Sequence, residues 1–337
     1  MSVVSVFVSH PQPMLEMYYG ARALAGLREI ADVRLNPAAH DLPMAQLIAA
    51  AHDCDVLIAY RQTPAPAALF AALPRLAAFL RCAMDIRTVD VDGASAQGVL
   101  VTRASAGFQA AVAEWIVAMA INLGRGLADA AAAYRRGELP APRMGRELRG
   151  ATVGIIGYGA IGQRFGELAL AFGARLLVHT PQTVAAHDRL RPVSLETLLA
   201  ASDFVVCLAP ANAQTARMLD ANAFATMKRG AFFINASRGE LVDEAALLAA
   251  LDSGHLGGCA LDVGMAPDQT PSPPLARHPR VIATPHVGGL TPPAIEHQAL
   301  ETVEQLRSLL HGRIPDGAVN AGSATRWQRL AAEAAAR

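Results

Sequence analysis

The chain has 337 residues, which is long enough for roughly two domains with apolar cores. It carries 29 Lys and Arg against 29 Asp and Glu, so its formal net charge is zero. Because no block of basic residues stands out, we expect no nucleic acid and no anionic membrane as a partner.

The sequence indicates neither a membrane span nor a metal site. The first residues lack the basic segment and cleavage site of a secretory leader, and the longest apolar run, residues 110–123, is shorter than the ~20 residues that cross a bilayer. The four cysteines are scattered without the spacing of a zinc site, which favours buried free thiols and a cytoplasmic location. They are Cys54, Cys82, Cys207 and Cys259.

Strand and helix patterns alternate through the first 103 residues. The predicted strands cover residues 2–9, 31–36, 55–60, 76–82 and 99–102, and the predicted helices cover residues 14–30, 44–52 and 66–72. Strands that alternate with helices are typical of a parallel α/β sheet. Residues 1–103 are therefore predicted to form a small open α/β domain.

A long helix over residues 110–136 and a surface loop over residues 138–149 come next. Six strand patterns then follow, over residues 152–156, 175–179, 204–209, 231–235, 258–263 and 281–284. Helix patterns separate most of them, which predicts one doubly wound domain. Further helices are predicted over residues 292–311 and 321–337.

The stretch TVGIIGYGAIGQRFG, which begins at Thr152, contains three glycines at G-x-G-x-x-G spacing. Gly157 permits a tight turn, Gly159 lets the backbone approach a pyrophosphate, and Gly162 lets helix and strand pack closely. The N-terminus of the helix directs N–H groups and partial positive charge at phosphates. The strand before the glycines and the helix after them favour a dinucleotide site over an ordinary βα turn.

Polar residues follow or end three predicted strands of the second half. Arg238 comes shortly after the strand over residues 231–235, Asp262 lies at the end of the next strand, and His286 follows the last one. Open α/β sheets bind ligands at the carboxyl ends of their strands. Each residue alone could be a surface cation, a turn former or a packing histidine, but together they favour a catalytic site.

Four motifs in this order resemble those of NAD(P)-dependent D-isomer-specific 2-hydroxyacid dehydrogenases. They are GYGAIG (157–162), NASRGELVDEAAL (235–247), GGCALDV (257–263) and TPHVGGLT (284–291). The similarity runs from about residue 55 to residue 320 and is strongest over residues 105–291.

The resemblance implies an α/β fold with two domains. A doubly wound parallel-sheet, Rossmann-like dinucleotide domain, residues 104–287, would be inserted into a smaller flavodoxin-like substrate domain, residues 1–103 and 288–337. The implied reaction is hydride transfer between a nicotinamide dinucleotide and a small D-2-hydroxy acid or 2-oxo acid. Such enzymes bind substrate in a cleft between the domains and are usually homodimers.

The resemblance also assigns roles to residues. Arg238 would hold the carboxylate and polarise the C2 carbonyl, and His286 would be the general acid and base. The cofactor-binding residues would be Gly157, Tyr158, Gly159, Ala160, Ile161, Gly162, Thr180, Ala209, Pro210, Thr215, Ala236, Ser237, Arg238, Asp262, His286 and Gly288. The substrate-binding residues would be Cys82, Ala83, Met84, Asp85, Arg61 and Arg238.

Two positions of the dinucleotide domain depart from the family pattern. The family usually places a Glu about five residues after the strand-end Asp, to pair with the catalytic His, and Pro267 stands there instead. Asp268 is our first choice as a replacement, with Gln269 and Glu296 as alternatives. Thr180 stands where an acid usually binds the ribose, which makes NADP possible, but no Arg follows immediately to attract a 2′-phosphate, so we expect NAD.

The substrate turn is the third departure. It reads RCAMD where the family usually has glycines, so the side chains of Ala83, Met84 and Asp85 are expected in or beside the pocket. The guanidinium groups of Arg61 and Arg87 could contact an acidic or polar substrate tail, although such arginines are more often solvated surface groups.

Two other functions stay open. The missing Glu is compatible with a formate- or phosphonate-oxidising relative of the same superfamily, in which a Gln can be the partner of the His. The fold also serves as a nicotinamide-sensing scaffold in C-terminal-binding transcriptional corepressors. A scaffold has no physical need for both Arg238 and His286, so the sequence favours an enzyme.

Overall fold

A computed structural model describes residues 4–335 of the protein, with side chains up to residue 332. The chain divides into two units, the first formed by Met1–Gly107 and Pro292–Arg337 and the second by Phe108–Thr291. Residues 2 and 3 of the first predicted strand and residues 336 and 337 of the last predicted helix lie outside the described residues. The predicted domain limits at 103/104 and 287/288 stay a prediction.

Strands and helices alternate through the described residues up to Gly107. They are β1 (Ser5–Val8), α1 (Gln12–Tyr18), α2 (Ala21–Arg28), β2 (Asp32–Leu35), α3 (Met44–Ala51), β3 (Val56–Ala59), α4 (Ala67–Ala72), β4 (Ala78–Arg81), α5 (Val91–Ala96) and β5 (Leu100–Arg103). The strands form one parallel sheet in the order β2-β1-β3-β4-β5. This order is that of flavodoxin-like sheets.

Helices cover both faces of this five-stranded sheet. Successive side chains of a strand point to opposite faces, and along β1 Val6 and Val8 join one core with Leu27 of α2. Phe7, which lies between them, joins a second core with Leu47 of α3. Burial on both faces explains why the strands of this unit are apolar at nearly every position.

The second unit contains a larger parallel sheet. Its elements are α6 (Gln109–Arg125), α7 (Leu127–Arg135), β6 (Thr152–Ile156), α8 (Ala160–Ala171), β7 (Arg175–His179), β8 (Leu190–Pro192), α9 (Leu195–Ala201), β9 (Phe204–Cys207), α10 (Ala221–Thr226), β10 (Phe232–Asn235), α11 (Glu244–Asp252), β11 (Gly258–Leu261), α12 (Pro273–Ala276) and β12 (Val281–Ala283). The seven strands have the order β12-β11-β10-β9-β6-β7-β8, which contains the doubly wound order of dinucleotide domains. The prediction of six strands missed β8, a short edge strand with Pro192 at its end.

The chain then returns to the first unit through α13 (Pro292–Leu310) and α14 (Gln328–Ala335). Val303 and Leu306 of α13 are buried in the core that contains Val8, and Leu330 of α14 joins them. The predicted last helix, residues 321–337, was placed too early, because α14 begins only at Gln328. The topology confirms the predicted α/β fold class, with one doubly wound sheet and one smaller flavodoxin-like sheet.

Two predicted helices are wrong as single elements, because a glycine in the left-handed region interrupts each. Residues 14–30 form α1 and α2, separated at Gly20, whose φ is +84°. Residues 110–136 form α6 and α7, which meet at Gly126 with a φ of +63° and a bend of 70°. Left-handed φ values suit glycine, which has no Cβ.

Within residues 4–335, no single helix is both long and apolar enough to cross a bilayer. Helices α6 and α7 taken together have the length and apolar composition of a span, but they are bent by 70°. Val112 and Ile116 of α6 are buried in the core of the second unit. All four cysteines are buried free thiols, as predicted.

Candidate active site

The glycine turn between β6 and α8 leaves room for a phosphate group. Gly157 has a φ of +92°, and a Cβ there would lie 2.6 Å from the main-chain nitrogen of Ala209. A Cβ on Gly162 would lie 2.5 Å from the main-chain oxygen of Gly157, so the helix packs directly on the turn. At Gly159, by contrast, nothing lies within 4 Å of the Cβ position. The three glycines therefore fit a pyrophosphate held over Gly159.

The N-terminus of α8 adds donors to this turn. Gly159 is the N-cap, and no side chain caps the helix. The first-turn N–H groups, those of Ala160 and Ile161 among them, have no acceptor within the helix and carry partial positive charge. Tyr158, between the first two glycines, is half-buried, and this burial raises the pKa of its hydroxyl. The residues present suit the phosphates of a dinucleotide.

Thr180 directly follows β7 at the same edge of the sheet. Its hydroxyl donates to Gln182 Oε1 at 2.8 Å, so a neutral hydrogen-bonded pair stands where the family usually has a ribose-binding carboxylate. An uncharged pair repels a 2′-phosphate less than a carboxylate would.

The loops after β9 and β10 are joined by hydrogen bonds. Thr215 Oγ1 donates to the main-chain oxygen of Pro210 at 2.7 Å and closes the loop after β9. Ser237, in the loop after β10, donates its hydroxyl to the main-chain oxygen of Ala209 at 2.5 Å. Ala236 precedes it in this loop and is half-buried. These predicted cofactor-binding residues thus line two neighbouring strand ends.

Arg238 is fixed by its own loop. The side chain of Asn235, the last residue of β10, donates to the main-chain oxygen of Arg238 at 2.9 Å, and the Arg238 guanidinium donates to the main-chain oxygen of Ser237 at 2.7 Å. A Cβ on Gly239 would lie 2.3 Å from the main chain of Gly264. The loop that carries Arg238 therefore touches the loop after β11.

Asp262 organises the turn after β12. It is 4% exposed, and its Oδ1 accepts hydrogen bonds from the Thr284 hydroxyl at 2.6 Å and the Val287 N–H at 2.8 Å. Its Oδ2 accepts from the Gly288 N–H at 2.8 Å. Asp262 was predicted to bind the cofactor, and its contacts among the described residues add a second role, the support of the turn that contains His286.

His286 lies on that turn in the left-handed region, with a φ of +56°. Its Nδ1 lies 3.2 Å from the main-chain oxygen of Asp268. Asp268 and the next residue, Gln269, are also left-handed, with φ values of +63° and +58°. This contact uses the main-chain carbonyl of Asp268, and the predicted pairing of the Asp268 carboxylate with the imidazole stays a prediction. Of the alternatives, Glu296 forms an ion pair with Arg22 at 3.3 Å.

The other alternative, Gln269, has its side-chain Oε1 buried without a hydrogen-bond partner among residues 4–335. Its main-chain oxygen accepts from the Gly264 N–H at 2.8 Å, which closes the loop after β11. This closure directs the peptide carbonyl of Asp268 to the imidazole.

The three strand ends are therefore contiguous. Strands β10, β11 and β12 are neighbours in the sheet, and contacts join their loops in pairs. Arg238, Asp262 and His286 stand at one edge of the sheet that also carries the glycine turn. This edge can hold an anionic cofactor and offers a guanidinium and an imidazole beside it.

The predicted substrate turn follows β4 at the carboxyl edge of the five-stranded sheet. Cys82 continues the ladder, with its N–H 3.0 Å from the oxygen of Ala59, and burial raises the pKa of its thiol to about 12. The main-chain oxygen of Ala83 accepts from Ala104 at 3.1 Å. In the part of the chain that the structure describes, the N–H groups of Ala83 and Met84 donate to no protein acceptor. They can bind a carboxylate.

Asp85 places a negative charge in this turn, next to an arginine. Its carboxylate accepts hydrogen bonds from the Arg87 main-chain N–H at 2.9 Å and from Arg87 Nη2 at 2.9 Å. In a turn that is predicted to bind a carboxylate, the negative charge of Asp85 would repel the ligand, and the Arg87 guanidinium offsets this repulsion.

Two buried polar residues at this edge were not predicted from the sequence. Arg81, the last residue of β4, is 0% exposed, and His10, shortly after β1, is 1% exposed. A charged residue that ends the apolar run AAFL is the signal that could have singled out Arg81. His10 gave no signal, because its burial depends on the aromatic residues that surround it in the fold.

Comparison with known proteins decides the family. The model of the D-isomer specific 2-hydroxyacid dehydrogenase NAD binding domain matches residues 117–288. The chain belongs to this family. The match covers the glycine turn and the three strand ends, and it confirms both the resemblance and the prediction of a nicotinamide dinucleotide cofactor.

Individual relatives of the dehydrogenase family agree with this assignment. A D-3-phosphoglycerate dehydrogenase of Mycobacterium bovis is 35% identical over 281 residues, which are 82% of this chain and 53% of that protein. The chain thus spans about half the length of the curated relatives that it matches. A protein structure from Thermus thermophilus is 31% identical, has a TM-score of 0.84, and is aligned over 94% of this chain and 99% of that one.

A second matching structure is that of an NADPH-dependent glyoxylate/hydroxypyruvate reductase from Sinorhizobium meliloti, in complex with NADP and malonate. It is 26% identical with a TM-score of 0.77, over 96% of this chain and 99% of that one.

Proposed function

We propose that the chain catalyses reversible hydride transfer between a nicotinamide dinucleotide and a small D-2-hydroxy acid or its 2-oxo partner. One observation carries the proposal. A guanidinium and an imidazole, those of Arg238 and His286, stand on joined loops beside a glycine turn that fits a pyrophosphate. A scaffold that only senses nicotinamide has no use for this pair.

The contact of His286 with Asp268 determines which nitrogen of the imidazole carries the proton. A main-chain carbonyl can only accept, so Nδ1 carries the proton and donates it to the oxygen of Asp268. Nε2 is then the atom that exchanges a proton with the C2 oxygen of the substrate. Imidazole suits this exchange, since it changes charge near neutral pH.

Arg238 would hold the substrate for this proton exchange. Its planar guanidinium can donate to the carboxylate and to the C2 oxygen, where negative charge develops during reduction. The bonds within its loop fix its main chain, so little entropy is lost when the substrate binds.

The dinucleotide, when bound, supplies or accepts the hydride. The turn at Gly159 and the N-terminus of α8 would hold its pyrophosphate, and the loops after β9 and β10 would line its path. Thr180 would face the ribose, and its neutral pair with Gln182 leaves NADP possible although we favour NAD. Asp262 would also accept a hydrogen bond from the nicotinamide carboxamide, because its three protein donors do not use all the lone pairs of the carboxylate.

The turn after β4 would bind the substrate carboxylate through the N–H groups of Ala83 and Met84. Cys82, Asp85 and Arg61 complete the substrate-binding residues of this proposal.

A panel of acids tests the proposal. Glyoxylate, hydroxypyruvate, pyruvate, phenylpyruvate and 2-ketogluconate are assayed with NADH and NADPH, and formate and phosphite are assayed with NAD. We expect reduction of at least one 2-oxo acid and a loss of about 100- to 1000-fold in kcat/KM for Arg238→Ala, because one oxyanion donor is typically worth that much. Arg164→Ala, at an exposed ion pair with Glu167, is the matched control. Turnover of formate or phosphite alone would replace the proposal by the formate-type alternative.

A homodimer in a reducing cytoplasm completes the proposal. The segment after α7 exposes large apolar side chains, with Leu139 89% and Met144 96% exposed. Such side chains are typical of a surface that another chain covers. The four buried free thiols favour a reducing compartment. Light scattering of the purified protein and of Met144→Glu tests the dimer, which the variant should weaken.

A further inference from the structure

The loop after β11, residues 264–270, touches the supports of both groups of the proposed site. A Cβ on Gly239, in the loop that carries the guanidinium, would lie 2.3 Å from the main-chain carbon of Gly264. At its other end, the main-chain oxygen of Asp268 lies 3.2 Å from Nδ1 of His286. A change in the shape of this loop would therefore move the imidazole relative to the guanidinium.

The backbone of this loop is held in an unfavourable conformation. Asp268 and Gln269 are consecutive left-handed residues, with φ values of +63° and +58°, and neither is a glycine. Each such residue costs free energy, and it persists only where the surrounding structure holds it. Without such support, the loop would relax, and the Asp268 carbonyl would turn away from the imidazole.

Hydrogen bonds close the loop on itself and supply this support. The Gly264 N–H donates to the main-chain oxygen of Gln269 at 2.8 Å, and the Ala266 N–H donates to that of Thr270 at 3.1 Å. A further bond uses a side chain, because Thr270 Oγ1 donates to the main-chain oxygen of Pro267 at 2.9 Å. This bond spans the two left-handed residues and fixes the peptide group before them.

The loop is also anchored on the side away from the imidazole. The Met265 N–H donates to Oε1 of Glu244, the first residue of α11, at 3.2 Å. A loss of the Thr270 bond would therefore act on the part of the loop that reaches His286. Main-chain groups are present whatever the residue type, whereas the hydroxyl of Thr270 depends on the side chain and can be removed by substitution.

We propose that the hydroxyl of Thr270 positions the catalytic imidazole, because it holds the loop in the shape that presents the Asp268 carbonyl to Nδ1 of His286. With the proton kept on Nδ1, Nε2 is the nitrogen that exchanges a proton with the substrate. Pro267 stands where the family usually has the Glu partner, so the Thr270 bond supplies part of the orientation that this Glu would give. The inference rests on the proposed function, in which His286 is the acid and base.

Thr270→Val and Thr270→Ser test the role of the hydroxyl. Valine has nearly the shape of threonine but no donor, and we expect it to lower kcat about two- to tenfold, the range that the loss of one neutral hydrogen bond gives. The solvent isotope effect on kcat should rise, because the proton exchange at Nε2 becomes slower. Serine keeps the donor and should retain the kcat of the parent.

Binding measurements and a control separate positioning from a general structural effect. The dissociation constants of NADH and of oxamate, an unreactive analogue of a 2-oxo acid, should stay within about twofold in Thr270→Val, because Arg238 and the glycine turn are unchanged. Thr226→Val is the matched control, since the Thr226 hydroxyl donates to the main-chain oxygen of Asn222 at 2.9 Å in α10 of the same unit. It should leave kcat and the isotope effect unchanged.

The tautomer of His286 is a readout that needs no turnover. At alkaline pH, where imidazoles are neutral, nitrogen NMR of histidine-labelled protein distinguishes a proton on Nδ1 from one on Nε2, and His286→Gln identifies the signal. We expect the Nδ1–H tautomer in the parent and in Thr270→Ser. In Thr270→Val we expect a mixture of the two tautomers.

The outcomes separate this inference from the proposed function. A kcat or a tautomer in Thr270→Val that matches the parent would overturn the inference and keep the dehydrogenase. An equal loss of kcat in Thr270→Ser, or a parallel loss of NADH affinity in Thr270→Val, would overturn it as well, because the residue would then be structural. A parent that turns over no 2-oxo acid would overturn the proposed function, and the tautomer would still decide whether Thr270 orients His286.

Discussion

The buried imidazole of His10 should make the first unit sensitive to acid. Burial lowers the pKa of His10 from 6.5 to about 3, the Tyr18 carbonyl opposes this shift, and the nearby Arg81 guanidinium adds to it. Neither ring nitrogen has a hydrogen-bond partner among the described residues. Between pH 6.5 and about 3, the unfolded chain therefore binds a proton that the folded chain excludes, and the free energy of unfolding rises with pH in this window.

The size of the effect follows from the shift. One pKa unit corresponds to about 1.4 kcal/mol, so a fall from pH 7.5 to pH 4.5 should cost roughly 2–3 kcal/mol of stability through this one group. His10→Phe removes the titration and loses only the weak contact of the imidazole with the Tyr18 carbonyl. Its ring can occupy the place of the imidazole between Tyr19 and Tyr60.

Urea unfolding at pH 7.5, 6.5, 5.5 and 4.5 measures this difference. Trp327 lies in the core of the first unit, so a Trp115→Phe background makes fluorescence report on that unit. The stability of His10→Phe relative to the parent should increase by roughly 2–3 kcal/mol between pH 7.5 and pH 4.5. His52→Gln, an exposed histidine of the same unit, should follow the parent. Parallel curves for His10→Phe and the parent would refute the reasoning.

Three further changes probe the second unit. In Asp262→Asn, an amide N–H group would face the Gly288 N–H, which should lower the free energy of unfolding by about 1–3 kcal/mol and reduce kcat. An unchanged kcat would contradict the proposal that Asp262 supports the turn with His286. Gly157→Ala should weaken dinucleotide binding at least tenfold in calorimetry, whereas Gly150→Ala, with a φ of +74° and open space at its Cβ, should not. Thr180→Asp should reduce the use of NADPH more than that of NADH; equal losses would show that this side chain does not face the ribose.

The glycine turn could be predicted from the sequence because its causes are local. A strand, three spaced glycines and a helix leave one arrangement for the backbone, and Gly157 and Gly162 show the close approaches that the spacing requires. The parallel sheets were equally predictable, since buried strands are apolar at nearly every position. The two helix predictions ran through Gly20 and Gly126 because a helix tolerates a single glycine. The positive φ that interrupts the helix at each of them is not visible in the sequence.

The contacts of the site could not be predicted in the same way. The sequence offered side chains as partners for His286, and Asp268 was chosen for its carboxylate. The contact found uses the Asp268 carbonyl, which depends on two consecutive left-handed residues and the return of the chain at Gly264. A main-chain group is present at every residue, so no residue type marks it. Arg81 was missed for a related reason, because it donates mainly to main-chain carbonyls, those of Tyr60 and Thr63.

Of the four non-glycine residues with positive φ in residues 4–335, one is His286, the proposed acid and base, and two more, Asp268 and Gln269, lie in the loop that contacts its imidazole. Each left-handed side chain costs of order 1–3 kcal/mol, which the surrounding packing has to overcome. Glycine at Asp268 or Gln269 would relieve this cost and widen the angles that the imidazole samples. Selection for heat resistance and selection for turnover should therefore act in opposite directions on this short loop.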